Sequence, residues 1–229
     1  MKIKEIFRIA MAGIILLAVT PDTAGQTFSV TFDLHDMCRK NQITTYNRQT
    51  DCFTENGTKI IRLSGNNGYG IAWIRGMEFA DGIIEVDIRA GSEIQHFAAG
   101  LAFHGLGSDT LDAVYLRRSV SPEDKKTGSH RLFYTSLPAP ASEESNNHFL
   151  ILYKKAFSPR PDAKGWIHLR ISVQGDQISA FAGRNDDPFL VVERQGRRTG
   201  GRIGFWTGDM SGGDFANLRI STGPVKATQ

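Results

Sequence analysis

The stretch Ile83-Ile84-Glu85-Val86-Asp87-Ile88-Arg89 decides the fold. Ile84, Val86 and Ile88 face one way, and Glu85, Asp87 and Arg89 face the other. Strict alternation of this kind marks a strand with one buried and one solvent-side face. Trp166-Ile167-His168-Leu169-Arg170-Ile171-Ser172-Val173 repeats it, with Ile167, Leu169, Ile171 and Val173 on the apolar side. Ala216, Leu218 and Ile220 alternate with Asn217, Arg219 and Ser221 in the same way. Outward from these, strands are expected at 27–34, 58–63, 69–75, 97–104, 111–118, 131–136, 148–153, 177–183, 189–193 and 201–206. Turn residues separate many of these about thirteen segments. No window after residue 25 shows a helical period. A parallel α/β fold, which needs helical crossovers of about a dozen residues, is therefore excluded. The pattern predicts an all-β, two-sheet antiparallel jelly-roll sandwich. The polar stretches 119–130, 137–147 and 157–165 read as loops, because strand patterning continues on both sides of them. One domain spanning 26–229 is expected.

The 229 residues hold 40% hydrophobic side chains, enough for a sizeable core, with 24 glycines, 14 phenylalanines and only 2 cysteines. Twenty-seven Lys and Arg stand against 24 Asp and Glu, a net charge of +3. That near-balance gives no electrostatic case for a nucleic-acid partner, which calls for a concentrated basic patch. Residues 1–25 have the layout of a cleaved secretory signal. Lys2, Lys4 and Arg8 precede the apolar run Ile9–Val19, and Thr23, Ala24 and Gly25 follow. The run is too short to span a bilayer as a helix, which needs about twenty residues. Three basic and two acidic residues leave with it, so the mature chain is near +2. The reading is of an exported protein, periplasmic or extracellular, with no transmembrane segment after signal cleavage. In an oxidising compartment Cys38 and Cys52 are expected to pair as one disulfide, worth about 3 kcal/mol in the chain-entropy model.

Several segments together carry a resemblance. They are Phe79-Ala80-Asp81-Gly82 leading into 83–88, Phe97–His104, Asp112–Arg117, Gly165–Val173, Gly201–Trp206 and Asp214–Ile220. In this order they resemble the concanavalin A-like lectin/glucanase superfamily, particularly its laminin-G-like and 3-keto-disaccharide-hydrolase-like jelly rolls. The likeness covers roughly 58–221. It implies two antiparallel sheets, one of them curved, whose concave face receives carbohydrate. Some members are glycoside hydrolases, some are lectin-like or adhesive modules, and some bind calcium. No other cofactor is implied. Fold analogy by itself does not settle function.

The candidate residues follow. Glu85 and Asp87 share a strand face about 7 Å apart, and glycosidases need two carboxyls astride the bond. Glucanase members carry E-x-D-x-E here, whereas this chain has Arg89 at the third position. The pair reads either as catalytic or as a solvated, salt-paired face. On 97–104, Ala98, Gly100, Ala102 and His104 form a side with almost no side chains, which leaves space above the sheet. His104 at its end is a candidate hydrogen-bonding or proton-transfer group. Trp73 with Arg75, and Tyr115 with Arg117, each pair an aromatic platform with a planar donor, the combination sugar sites use. The expected site gathers all seven on one concave sheet. Arg194, Arg197 and Arg198 read as a solvated basic turn, and Asn56-Gly57-Thr58 fits a glycosylation sequon. A glycan-active hydrolase or lyase, and a purely structural or adhesion module, stand as rival functions.

Overall fold

A computed structural model describes residues 28–90, 97–118, 130–138, 153–157 and 165–222, with side chains of 153–157 left aside. The expected signal at 1–25 and most of the three expected loops lie outside these residues. Fifteen strands and one short helix are described. In chain order they are β1 (Phe28–Thr31), α1 (Leu34–Arg39), β2 (Ile43–Tyr46), β3 (Thr50–Glu55), β4 (Thr58–Leu63), β5 (Gly70–Phe79), β6 (Gly82–Arg89), β7 (Ala98–Gly105) and β8 (Leu111–Arg118). Then follow β9 (His130–Leu137), β10 (Tyr153–Phe157), β11 (Ile167–Gln174), β12 (Gln177–Ala182), β13 (Leu190–Glu193), β14 (Gly201–Thr207) and β15 (Gly213–Thr222). The expected strand at 148–153 falls almost wholly outside the described residues.

The strands form two antiparallel sheets. One runs β13-β12-β11-β6-β15-β4-β3, with β1 pairing the C-terminal half of β15; the other runs β10-β9-β8-β7-β14-β5-β2. Between them lies the core. Ile84, Val86, Ile88, Leu169 and Ile171 come from the first sheet, and Leu101, Phe103, Val114, Leu132 and Phe205 from the second. At about 25 cal/mol per Å² of apolar surface removed from water, this layer is the main stabilising term.

The two sheets differ on their outer faces. β6 and β11 alternate, so their sheet is polar outside. β7 and the first six residues of β8 are buried throughout. Such a sheet is covered on both sides, and its strands read as near-continuous apolar runs.

The absence of helix after residue 25 is corrected by α1. Asp33 caps it, its side chain accepting from the Asp36 N–H at 3.0 Å. Leu34 and Met37, three apart, bury its inner side. Six residues are too few for a periodic signal. The strands β2 and β3 were also missed, because Ile43-Thr44-Thr45-Tyr46 and Thr50–Glu55 are half polar edge strands. The disulfide joins α1 to β3: Cys38 and Cys52 are bonded with Cα atoms 6.4 Å apart.

Candidate functional site

The outer face of the seven-stranded sheet concentrates aromatic side chains. The register lines up Tyr46, Ile71, Trp206, Gly100, Tyr115 and Phe133 across six strands. A Cβ at Gly100 would stand 2.6 Å from the Tyr115 Cβ. With none there, Trp206 and Tyr115 lean together over the glycine, ring centroids 4.2 Å apart. Tyr115 also stacks on Phe133 at 5.3 Å. The adjacent row is Trp73, Gly204, Ala102, Ala113 and Thr135, a floor of small residues with an indole at one edge. The Trp73 Nε1–H is buried and has no hydrogen-bond partner among the described residues. Arg202 holds its guanidinium 5.1 Å from the Trp73 ring. Exposed Arg75, bonded to the Thr44 hydroxyl, stands two residues beyond Trp73, and exposed Arg117 stands two beyond Tyr115 toward the opposite end.

Contacts at both ends organise this face. The β7–β8 loop leans back along it, because the Tyr69 hydroxyl at the far end of β5 donates to the Ser108 carbonyl at 2.9 Å. Burial pushes the Tyr69 and Tyr115 hydroxyls up to about 12 each. At the Tyr69 end, buried Arg48 donates to the carbonyls of Asn47 (2.6 Å), Gly68 (2.7 Å) and Gly208 (2.7 Å) and to the Thr207 hydroxyl (2.8 Å). One guanidinium thus ties three segments together without a bonded carboxylate.

Glu85 and Asp87 lie on the outer face of the other sheet. Glu85 accepts from Arg219 Nε at 2.6 Å and faces His168 Nε2 at 3.4 Å. Asp87 bonds His168 Nδ1 at 2.8 Å and accepts from Asn217 at 2.7 Å. Burial alone would raise both carboxyls, but the bonds from His168 and Arg219 to Glu85, and from His168 and Asn217 to Asp87, hold both below their usual range. Those same bonds raise His168 to about 9. Arg89, at the position where glucanases have a third carboxylate, bridges Asp214 (2.8 Å) and Glu55 (2.6 Å). A glycosidic general acid must be held protonated. This constellation does the reverse.

His104 is inside the sandwich. Alternation would put it on the open side with Ala98 and Ala102, but it adopts φ 51° where the β7–β14 register shifts between Arg202 and Gly204. An extra residue at a bulge re-aims its side chain. The ring packs edge-on to Phe103 (5.0 Å) and over Phe79 (6.2 Å). Its Nε2 lies 2.9 Å from the Ala80 carbonyl, which only accepts, so Nε2 carries a proton; Nδ1 lies 3.1 Å from Asp112. Asp112 also accepts from Tyr134 (2.9 Å) and Arg198 (2.9 Å). Burial would raise the Asp112 carboxyl, and the His104 bond with the Arg198 charge lowers it instead. Arg198, expected as solvated, is 11% exposed and serves this buried cluster. Arg194 too is largely covered, against Asp176.

The expectation of seven residues on one concave face is therefore corrected. The structure puts Trp73, Arg75, Tyr115 and Arg117 on the outer side of one sheet, with the two arginines at opposite ends, puts Glu85 and Asp87 on the opposite surface, and encloses His104. A period of two tells which side of a strand a residue occupies, not which sheet the strand joins. Trp206 and Phe133 were missed, although Trp206 follows Gly204 at the same two-residue spacing. As for calcium, among the described residues no group of three or more His, Cys, Asp or Glu is arranged to hold a metal ion. No described helix is long and apolar enough to cross a membrane.

No family model matches the chain, and no curated protein matches it. Solved structures do. The carbohydrate binding module CBM66 from Bacillus subtilis is 15% identical with a TM-score of 0.56, covering 78% of this chain and 95% of that one. The Emp46p carbohydrate recognition domain, in its metal-free form, is 13% identical with a TM-score of 0.52, covering 82% and 93%. A native glycosidic hydrolase is 12% identical with a TM-score of 0.51, covering 89% and 98%. Likeness at such identities is one of architecture. The chain has the fold of the concanavalin A-like lectin/glucanase jelly rolls.

Proposed function

We propose that this protein is an exported carbohydrate-binding domain, with residues 26–229 as one unit, that takes a glycan on the outer face of the seven-stranded sheet. One observation carries the reading. Trp73, Trp206, Tyr115 and Phe133 share a sheet face beside a floor of Gly204, Ala102 and Ala113, and the Trp73 indole N–H has no partner among the described residues. Sugar rings present C–H faces that stack on aromatic rings and hydroxyls that need directional partners. A buried, unpaired N–H costs about 1–3 kcal/mol. A sugar hydroxyl accepting from Trp73 relieves that cost. Arg75 and Arg117 add planar donors at the two ends. Likeness to the CBM66 carbohydrate binding module and the Emp46p carbohydrate recognition domain supports the ligand class, and the disulfide with the basic-then-apolar start supports export. Trp73, Trp206 and Tyr115 are 3%, 2% and 4% exposed, so binding there requires the cover of this face to open, and the β7–β8 loop held by Tyr69 is the part of that cover to test.

The test is titration of the purified protein against a panel of soluble polysaccharides, read by tryptophan emission and calorimetry. For the glycan that binds, Trp73→Phe keeps a six-membered aromatic ring and removes the pyrrole ring with its N–H. It is expected to weaken binding by about fivefold or more, the net worth of one hydrogen bond. Arg75→Ala and Arg117→Ala weaken it too, and Glu85→Gln does not. Affinity lost in Glu85→Gln but retained in Trp73→Phe, Arg75→Ala and Arg117→Ala would overturn the site, and a panel without any binder would overturn the function.

A further inference from the structure

The chain contains two Asn-Gly steps, Asn56-Gly57 and Asn67-Gly68, both exposed. In such a step the main-chain nitrogen of the glycine can attack the side-chain carbonyl carbon of the asparagine. Glycine offers the least steric hindrance to that approach, which is one reason asparagine is counted among the labile residues. The structure treats the two steps differently.

At 67–68 the backbone of the step, including the attacking nitrogen, is held on both sides. The Gly68 N–H, whose nitrogen would be the nucleophile, donates to Asp209 Oδ1 at 2.7 Å. The Gly68 carbonyl accepts from Arg48 at 2.7 Å. The Asn67 N–H donates to Asn66 Oδ1 at 2.9 Å, and the Asn67 carbonyl accepts from Asn47 at 2.7 Å. At 56–57 the tip of the β3–β4 hairpin stands clear. Asn56 has φ 50° and Gly57 φ 80°, the left-handed pair of a two-residue hairpin turn closed by Glu55 opposite Thr58. Among the turn and loop hydrogen bonds of the described residues none uses the Gly57 N–H, and a Cβ at Gly57 would meet nothing within 4 Å. β3 is moreover at the edge of its sheet, where opening is cheapest.

We infer that Asn56 is a site of spontaneous covalent modification, the place where this protein converts an asparagine to aspartate and isoaspartate. Gly57 N loses its proton to hydroxide and bonds to Asn56 Cγ. The Cγ–Nδ2 bond breaks and ammonia leaves, giving a cyclic succinimide. Water then opens the ring at either carbonyl, so the sum is one water consumed and one ammonia released, with no redox change. The product carries a new negative charge beside Glu55, which is already paired to Arg89 at 2.6 Å, and it removes the asparagine of the sequon.

Protein made in a bacterial host, which adds no glycan at the sequon, is incubated at mildly alkaline pH and body temperature. Peptide mass mapping then follows both asparagines. A gain of about one mass unit is expected at Asn56, at least about tenfold faster than at Asn67 in the folded protein. In denaturant the two rates should converge. In Asp209→Ala, which frees the Gly68 N–H, the Asn67 rate should rise while that of Asn56 stays unchanged. Equal rates in the folded protein, a faster Asn67, or an unmodified Asn56 would each overturn the inference. None of these readings depends on glycan binding.

Discussion

Asp112 is a fully buried carboxylate on β8, and the side chains of His104, Tyr134, Arg198 and Ser136 converge on it. His104, Tyr134 and Arg198 lie at 3.1, 2.9 and 2.9 Å. Arg198 reaches it from the β13–β14 connection and bonds the Ser136 hydroxyl at 2.6 Å and the Leu137 carbonyl at 3.0 Å on β9. The cluster therefore stitches a connection onto the inner side of the seven-stranded sheet. A buried pair contributes little over an apolar replacement, but removing one member strands the other in low dielectric. Asp112→Asn keeps the shape and removes the charge from between Arg198 and His104. It should cost about 3 kcal/mol or more in urea unfolding at neutral pH, whereas Asp109→Asn in the exposed β7–β8 loop should cost almost nothing. A loss below about 1 kcal/mol for Asp112→Asn would mean that Arg198 and His104 find other partners when the charge goes.

β6, β11 and β15 meet at His168, which the register sets opposite Asp87 and one row from the Glu85–Arg219 pair. The sheet faces water on this side and is held by charge rather than by rings alone, though Arg89 and Arg170 lie over Trp166 (4.5 Å) and Phe181 (4.0 Å). The pairing has a definite pH signature. His168 rises from an ordinary 6.5 to about 9 on folding, bonded to Asp87 and Glu85 and faced also by Arg219 and Asn217 on β15. A raised value means that its stabilisation is complete below about 6.5 and is lost as pH climbs through 9. Its side chain is 39% exposed, so solvent screening reduces the contribution to about 1 kcal/mol. The lowered values of Glu85 and Asp87 act at the other limit, with stability lost as pH falls through the carboxylate range. Urea midpoints measured from pH 6 to pH 10 should decline for the parent protein, and His168→Gln should flatten that decline. An equal slope in His168→Gln would show that other groups set it.

The molecule as a whole has two dissimilar sheet faces outside the sandwich core, one a lattice of paired charges and one a covered layer of rings. The sandwich itself was legible: Ile84-Glu85-Val86-Asp87-Ile88 and Ile167–Val173 announce strands with one wet face, and 58–63 and 111–118 fall where the pattern puts them. Half of the candidate site was legible as well. Trp73 with Arg75 and Tyr115 with Arg117 do share a face, because two-residue spacing along a strand is a local property. What joined them wrongly to Glu85 and Asp87 was sheet membership, which depends on pairings between residues as distant as Glu85 and Arg219. The inward turn of His104 likewise rests on a register shift with β14, about a hundred residues away in sequence. The ringed surface also makes a prediction about access. Of the 3 tryptophans, Trp73 and Trp206 lie on it and Trp166 on the charged surface, so Trp166→Phe leaves only the two reporters of interest. In that background both indoles should emit at short wavelength and resist quenching by acrylamide. Adding Tyr69→Phe removes the hydroxyl that bonds the Ser108 carbonyl and should cost only about 1 kcal/mol of global stability. If the β7–β8 loop guards the face, quenching should rise several-fold in Tyr69→Phe while the unfolding midpoint hardly moves, since local opening is far cheaper than global unfolding. Unchanged quenching would mean that Tyr69 does not hold the rings out of solvent, and the route proposed for a glycan would have to be abandoned.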